Sequence, residues 1–126
     1  MNGVGLSDDD IYSIEKTLKI VLPDGYKDFL WKINGSEGMF NQKNYAILWR
    51  GEYLQDYNCE YQVEDYLEDM ILFGSDGGGE AFAFDKMKEM IIVRVPFIGM
   101  ERELAIEITD TFTNFLSLLY NNTSWR

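Results

Sequence analysis

The sequence predicts an α+β domain in which helices near both ends of the chain flank a mostly antiparallel sheet. Apolar residues recur at helical spacing in the N-terminal third and near the C-terminal end, and short apolar stretches of strand type cluster between these regions. The chain has 126 residues, of which 46% are hydrophobic, and contains no internal repeat or linker. We therefore expect residues 1–126 to form a single domain.

The first helix is predicted to begin after Ser7. The Ser7 hydroxyl can cap free backbone N–H groups, and the aspartates at 8–10 lie at the positive end of the helix dipole. Apolar residues then recur at helical spacing up to Val21 or Leu22. We expect the helix to end near Val21, because Pro23 disfavours helical geometry in the residue that precedes it.

A second helix is predicted to start at Pro23, since proline suits a first helical position. Asn34-Gly35 should end this helix in left-handed geometry. The polar residues 36–44 are expected to form a loop, and the apolar run 45–49 (YAILW) a strand. The apolar stripe of the helix is predicted to consist of Tyr26, Phe29, Leu30 and Ile33.

Segment 51–69 combines acids with tyrosines. Acids stand four residues apart from Glu52 to Glu68, and one unbroken helix would align them as a self-repelling stripe. We therefore expect a break near Asn58 that separates two short helices. The side chains predicted to face inward are Leu54, Tyr57, Val63, Tyr66 and Leu67.

Patterns of strand type then recur along the chain. They occupy residues 70–74, 80–85, 90–95 and 104–108. A final helix, capped by Asp110 or Thr111, is expected to cover one face of the sheet. Its buried stripe is predicted to be Phe112, Phe115, Leu116 and Leu119.

Missing residue types exclude several classes of site. The sequence has no histidine, so Ser-His-Asp and Cys-His catalysis and histidine metal sites are excluded. The one cysteine, Cys59, cannot form an internal disulfide, and the adjacent Glu60 disfavours a reactive thiolate. The sequence shows no signal-peptide pattern and no membrane-spanning run. We expect a cytoplasmic protein without cofactor, metal ion or catalytic residue.

The negative charge is concentrated in one segment. The formal net charge is −11, and no lysine or arginine occurs between Arg50 and Lys86. The acids of this interval are Glu52, Asp56, Glu60, Glu64, Asp65, Glu68, Asp69, Asp76, Glu80 and Asp85. Such a segment repels phosphate backbones and attracts basic surfaces within a Debye length of about 8–10 Å. The charge predicts a basic protein partner and argues against a direct nucleic-acid ligand.

Three consecutive glycines, Gly77, Gly78 and Gly79, stand between two predicted strands in FGSDGGGEAFAFD, residues 73–85. A phosphate-binding loop would lead into a helix and usually carry a lysine, whereas this run leads into a strand and is flanked by acids. We therefore interpret it mainly as a turn that requires positive φ. A Ca²⁺ or Mg²⁺ site across the turn is a weaker alternative, since such a site needs roughly six oxygen ligands.

A second class of function stays open. The protein could be an enzyme or bind a small ligand beside the glycine turn, with Asp76, Glu80 and Tyr61 as acid, base or ligand groups. Tryptophans could also stack on a sugar, but Trp31 and Trp49 are expected in the core.

Three stretches resemble signatures of the SUKH superfamily, which is named for the fungal Smi/Knr cell-wall regulators. They are LPDGYKDFLWKINGSEG at 22–38, FGSDGGGEAFAFD at 73–85 and ITDTFTNFLSLL at 108–119. The resemblance implies an α+β fold with a bent, mostly antiparallel sheet, and it supplies no catalytic residues. It assigns a structural role to Pro23, Asn34, Gly35 and the glycines at 77–79. Bacterial members commonly serve as immunity proteins against polymorphic toxins, many of them nucleases, whereas fungal members act as regulatory scaffolds.

Charge and resemblance together predict an immunity protein that occludes a basic cleft of a nuclease-type toxin. Carboxylates supply electrostatic complementarity, and tyrosines are common anchors of protein interfaces. The candidate partner-binding residues are Glu52, Tyr53, Asp56, Tyr57, Glu60, Tyr61, Glu64, Asp65 and Glu68. Each of these acids could instead be an ordinary surface carboxylate, and two of the tyrosines could belong to the core.

Overall fold

Six strands follow one another across one antiparallel sheet in the computed structural model, which describes residues 5–41, 44–67 and 69–121. The strands are β1 Ser36–Met39, β2 Tyr45–Leu48, β3 Met70–Ser75, β4 Glu80–Asp85, β5 Ile91–Pro96 and β6 Ile106–Thr109. Each strand pairs with the next one in the chain. Irregular pairing between Leu72 and Gly74 and between Ile92 and Val93 interrupts the ladder, as β-bulges do.

Helices precede the sheet, follow its second strand and end the described chain. They are α1 Asp8–Leu18, α2 Asp24–Lys32, α3 Leu54–Glu60, α4 Val63–Tyr66 and α5 Phe112–Tyr120. The predicted α+β class is therefore confirmed. Within the described ranges, none of these helices has the length and apolar character needed to cross a membrane.

The start of α1 is a complete capping box. The Asp10 amide donates to Ser7 Oγ at 3.1 Å, and the Ser7 amide donates to Asp10 Oδ2 at 3.2 Å. The helix ends at Leu18, and the predicted end near Val21 is wrong. Lys19 takes left-handed geometry with φ +60°, and the Leu22 amide donates to Glu15 Oε2 at 2.7 Å. These contacts end the helix before the proline can influence it.

The second helix begins one residue later than predicted, because Pro23 is extended and acts as the N-cap. At its other end Asn34 has φ +58° and Gly35 has φ +100°, which matches the left-handed ending expected for Asn-Gly. The predicted loop over 36–44 is wrong in its first half, because β1 forms there and pairs with β2. β1 is an edge strand with few apolar residues, so its hydrogen bonds to β2 hold it in place rather than burial.

The last strand is shorter than predicted, and the last helix is capped as expected. Residues Arg102–Leu104 form a 3-10 turn, so β6 begins only at Ile106. Thr111 is the cap of α5, since its Oγ1 accepts from the Asn114 amide at 3.1 Å.

Aromatic rings fill the space between the sheet and the helices α2 and α5. Tyr26 of α2 lies 5.0 Å from Phe84 of β4 and 4.9 Å from Phe112 of α5, measured between ring centroids. Phe73 of β3 stacks on Phe84 at 4.4 Å and meets Phe115 of α5 edge-on at 5.5 Å. The two helices therefore cover one face of the sheet through a continuous aromatic core.

The tryptophans expected in the core have different environments. Trp49 is buried and stacks on Tyr57 with 4.5 Å between ring centroids. Trp31, by contrast, is 53% exposed, so its predicted burial is wrong. The buried face of α2 is formed by Tyr26, Phe29 and Leu30, and Trp31 continues past that face toward solvent.

The hydroxyl of Tyr26 is buried and finds no hydrogen-bond partner among the described residues. Burial raises the pKa of Tyr26 far above its usual range, so the group stays a neutral donor without an acceptor. We expect Tyr26→Phe to raise the free energy of unfolding by about 1 kcal/mol, because it removes an unsatisfied polar group and keeps the ring. Urea denaturation measures this change. The control is Tyr45→Phe, which removes an exposed hydroxyl bonded to Glu37 and should be nearly neutral. A clear loss of stability in Tyr26→Phe would contradict the prediction.

Candidate partner-binding surface

Segment 51–69 forms two short helices, as predicted, but the break between them lies elsewhere. It falls at Tyr61-Gln62, where Gln62 has φ +56°, rather than near Asn58. Asn58 lies inside α3 because its side chain has specific partners. Its Nδ2 donates to the Leu54 carbonyl at 2.7 Å and to the Leu72 carbonyl at 3.0 Å.

Asn58 attaches α3 to an edge of β3 that has no strand beside it in the described chain. β2 pairs with β3 only at Ser75 and Gly74, so the backbone of Leu72 lies beyond the end of β2. The Leu72 amide donates to Asn58 Oδ1 at 2.8 Å, and the Leu72 carbonyl accepts from Asn58 Nδ2. One side chain thus replaces the missing strand and fixes the position of α3 against the sheet.

Replacing this amide should have a large cost. We expect Asn58→Ala to lower the free energy of unfolding by about 2–3 kcal/mol, because the Leu72 amide and carbonyl lose their partner in a partly buried place. The matched control is Asn114→Ala in α5, whose side chain donates to the exposed Asp110 at 2.9 Å. Chemical denaturation of both variants measures the difference, and equal effects would contradict the proposed role of Asn58.

The carboxylates of α3 and α4 lie on the side of these helices that faces solvent. Leu54 and Val63 supply the buried side. Four exposed acids lie away from it, and we call them the acidic surface: Asp56, Glu60, Glu64 and Asp65. Within residues 5–41, 44–67 and 69–121, no lysine or arginine forms a salt bridge with any of the four.

Glu52 is not part of this free surface, although it was predicted to bind the partner. Its Oε2 pairs with Arg50 Nη2 at 2.9 Å, and its Oε1 accepts from Asn34 Nδ2 at 2.8 Å. Burial opposes ionisation of Glu52, but hydrogen bonds from Asn34 and Arg50 outweigh it and hold the pKa of this carboxyl below its usual range. Asn34 also accepts from the Gly51 amide at 2.7 Å. Its side chain therefore links the end of α2 to the start of segment 51–69.

The acids that follow β3 are also used within the fold. Glu80 Oε1 pairs with Arg94 at 3.3 Å, and Asp85 is bonded by Arg102 at 2.6 and 2.8 Å. The interval between Arg50 and Lys86 is therefore not the one continuous negative surface that was expected. The negative surface is limited to the part of this interval that α3 and α4 carry. Glu68 lies outside the described residues.

The glycine run forms the turn between β3 and β4. Gly77 and Gly79 have φ of +79° and +108°, a region that L side chains rarely adopt. Asp76 Oδ1 accepts from the amides of Gly78 and Glu80 at 2.7 and 3.1 Å, so this carboxylate organises the turn. Over the described part of the chain, no group of three or more acidic or cysteine side chains is arranged to hold a metal ion.

A row of aromatic rings runs beside the acidic surface. Trp49 stacks with Tyr57 and with Tyr61, at 4.5 and 6.2 Å between centroids. Tyr53 meets Tyr57 at one end of the row, and Phe97 meets Tyr61 at 4.8 Å at the other. Tyr57 is half-buried, whereas Tyr53 and Tyr61 are exposed, so the row joins the core to the surface.

Tyr66 was predicted to face inward and does not. It is 60% exposed, because Val63 and Leu67 take the buried positions of the single turn of α4. A second surface feature was not predicted at all. The β5–β6 connection, residues 97–105, contributes Phe97, Met100 and Glu101 to a cavity that Tyr61 and Tyr66 also line. An apolar run containing a glycine and ending in acids (PFIGMERE, 96–103) was the available sequence signal.

Comparison with known families gives one match. The model of the SMI1/KNR4 family (SUKH-1) matches residues 5–118, which include the stretches 22–38 and 73–85 on which the resemblance rests. No curated protein matches the chain significantly.

Proposed function

Because the chain belongs to the SMI1/KNR4 family (SUKH-1), we propose that it is an immunity protein that binds a basic, nuclease-type toxin through the acidic surface. It would act in the cytoplasm as a single domain spanning residues 1–126. Its action is stoichiometric binding rather than catalysis, with no cofactor. The toxin is the direct partner, and nucleic acid is excluded from the complex rather than bound by the protein.

The acidic surface is the observation that carries this proposal. Its carboxylates are exposed, and the described lysines and arginines form no salt bridge with them. Carboxylates that the fold does not use keep their full charge available to a partner. The neighbouring Tyr53 and Tyr61 offer rigid, partly apolar contact area of the kind that anchors interfaces.

The electrostatic match also explains how binding would block the toxin. A nuclease must attract phosphates, so its active cleft presents basic side chains. An acidic helix pair can enter that field, accelerate encounter and then occupy the place of the substrate. Tyr57 and Tyr61, held against Trp49, would give the contact a rigid apolar centre.

Co-expression tests the proposal. The proposed toxin, sought among the products of neighbouring genes, is induced in cells with and without this protein, and survival is counted. We expect survival with the protein, co-purification of the two chains, and complete inhibition of the purified toxin only when the two are equimolar. Full inhibition by a small fraction of an equivalent would indicate catalysis, and failure to protect or to form a complex would overturn the immunity function.

A further inference from the structure

We propose that the cavity between α4 and the β5–β6 connection receives an arginine side chain of the partner. The cavity has a volume of about 520 Å³ and is lined by Tyr61, Tyr66, Phe97, Gly99, Met100 and Glu101. It adjoins the acidic surface in sequence, since Glu60 precedes Tyr61 and Asp65 precedes Tyr66. This assignment rests on the proposed function for the identity of the partner, but the chemistry of the cavity stands independently.

The lining of the cavity is mostly aromatic and apolar. Tyr61 contacts both Trp49 and Phe97, with 6.2 and 4.8 Å between ring centroids. Of the other lining residues, Met100 is buried, whereas Tyr66 is exposed. Ile98, which lies between the lining residues Phe97 and Gly99 in the sequence, is 93% exposed. Contiguous exposed aromatic and aliphatic groups of this kind mark interaction sites.

The charge of the cavity selects a cation. Of the described residues that line it, Glu101 alone is charged, and it is a carboxylate. Arg102 follows Glu101 but is directed to Asp85, with which it forms two short hydrogen bonds. Elsewhere in the protein, Lys16 lies 5.5 Å from the ring centre of Tyr12, whereas no described lysine or arginine takes that position over Tyr61 or Tyr66.

Arginine fits this combination better than lysine does. Its planar guanidinium stacks on aromatic faces, is weakly hydrated, and keeps donors in its plane for a carboxylate. The aromatic rings of the cavity can stack on the guanidinium, and the one carboxylate beside them can accept its hydrogen bonds. Lysine would keep more of its hydration and gain less from the rings.

A small probe tests the chemistry without the toxin. N-acetyl-arginine amide is titrated into the full chain, and the NMR signals of the Met100 methyl group and the tyrosine rings are followed. N-acetyl-citrulline amide, which has nearly the same shape but no charge, is the matched ligand. We expect saturable shifts at Met100, Tyr61 and Tyr66 with arginine and roughly tenfold weaker binding of citrulline. Equal binding of the two, or shifts that do not saturate, would overturn the assignment.

Matched variants locate the site. Glu101→Gln and Tyr66→Leu should each weaken the arginine probe several-fold, whereas Glu103→Gln and Tyr12→Leu should leave it unchanged. All four positions are exposed, so folding is not at risk. Equal loss in the control variants would overturn the assignment. If the probe binds the wild type but the toxin does not, the immunity function fails and the arginine site stands. If co-expression protects cells but the probe does not bind, the immunity function stands and the arginine site is overturned.

Discussion

Replacing Asp56, Glu60, Glu64 and Asp65 together by lysine is expected to lower the affinity for the toxin roughly 100-fold or more and to abolish protection of co-expressing cells. The four side chains are exposed and lie away from the buried Leu54 and Val63, so the folded structure should survive. Reversed charges would repel the basic cleft instead of attracting it. Affinity is measured by calorimetry and protection by colony counts.

A control variant changes the net charge by the same amount at sites outside the acidic surface. The exposed acids Asp9, Asp28, Glu89 and Glu103 are replaced by lysine for this purpose. We expect the control to retain protection and to lose much less affinity, since the field that steers association is local within a Debye length of about 8 Å. If both variants lose affinity equally, net charge rather than the acidic surface determines binding.

The second large effect is expected on stability, at the salt bridge that holds the β5–β6 connection. Asp85 is only 2% exposed, and Arg102 contacts both of its carboxylate oxygens. Arg102→Gln should lower the free energy of unfolding by about 3 kcal/mol, because it removes the guanidinium that pairs with both oxygens of a buried carboxylate. The control is Lys27→Gln, which breaks pairs of 3.8 and 3.9 Å with Asp24 and Glu15 and should cost well under 1 kcal/mol. Denaturation curves of the two variants settle the comparison, and similar small losses would contradict the prediction.

This salt bridge also predicts a dependence on pH. Hydrogen bonds from Arg102 hold the pKa of Asp85 below its usual range, against the opposing effect of burial. A carboxyl with a lowered folded pKa stabilises the protein above its unfolded pKa, about 3.9 for aspartate, and loses that contribution as the pH falls through the folded value. The difference in free energy of unfolding between wild type and Arg102→Gln should therefore be largest at neutral pH and should decrease below about pH 4. A difference that is constant down to pH 2 would show that Asp85 does not carry it.

Local chemistry in the sequence was sufficient to predict much of the fold. The cap at Ser7, the left-handed Asn34-Gly35, the apolar run of β2 and the helix after Thr111 each depend on neighbours within a few residues. β1 was missed for the same reason, because an edge strand stabilised by pairing with β2 carries no apolar signal of its own. Likewise, the break expected near Asn58 was displaced by bonds to Leu72, which is distant in sequence.

The candidate site was predictable in composition but not in detail. Which acids stay free depends on contacts that the sequence does not display, such as those of Arg94 with Glu80 and of Arg102 with Asp85. The spacing of acids along a helix cannot reveal that distant arginines neutralise some of them. The cavity between α4 and the β5–β6 connection could not be predicted for a similar reason, because these two segments meet only in the folded protein.

The rate of association with the proposed toxin, measured by stopped flow at low and high salt, tests the role of the acidic surface most directly. We expect the association rate constant of the wild type to fall roughly tenfold or more between about 50 and 500 mM NaCl. The lysine variant of the acidic surface should associate slowly at both salt concentrations. An association rate constant that is the same at both salt concentrations, or equal in wild type and lysine variant, would contradict binding through this surface.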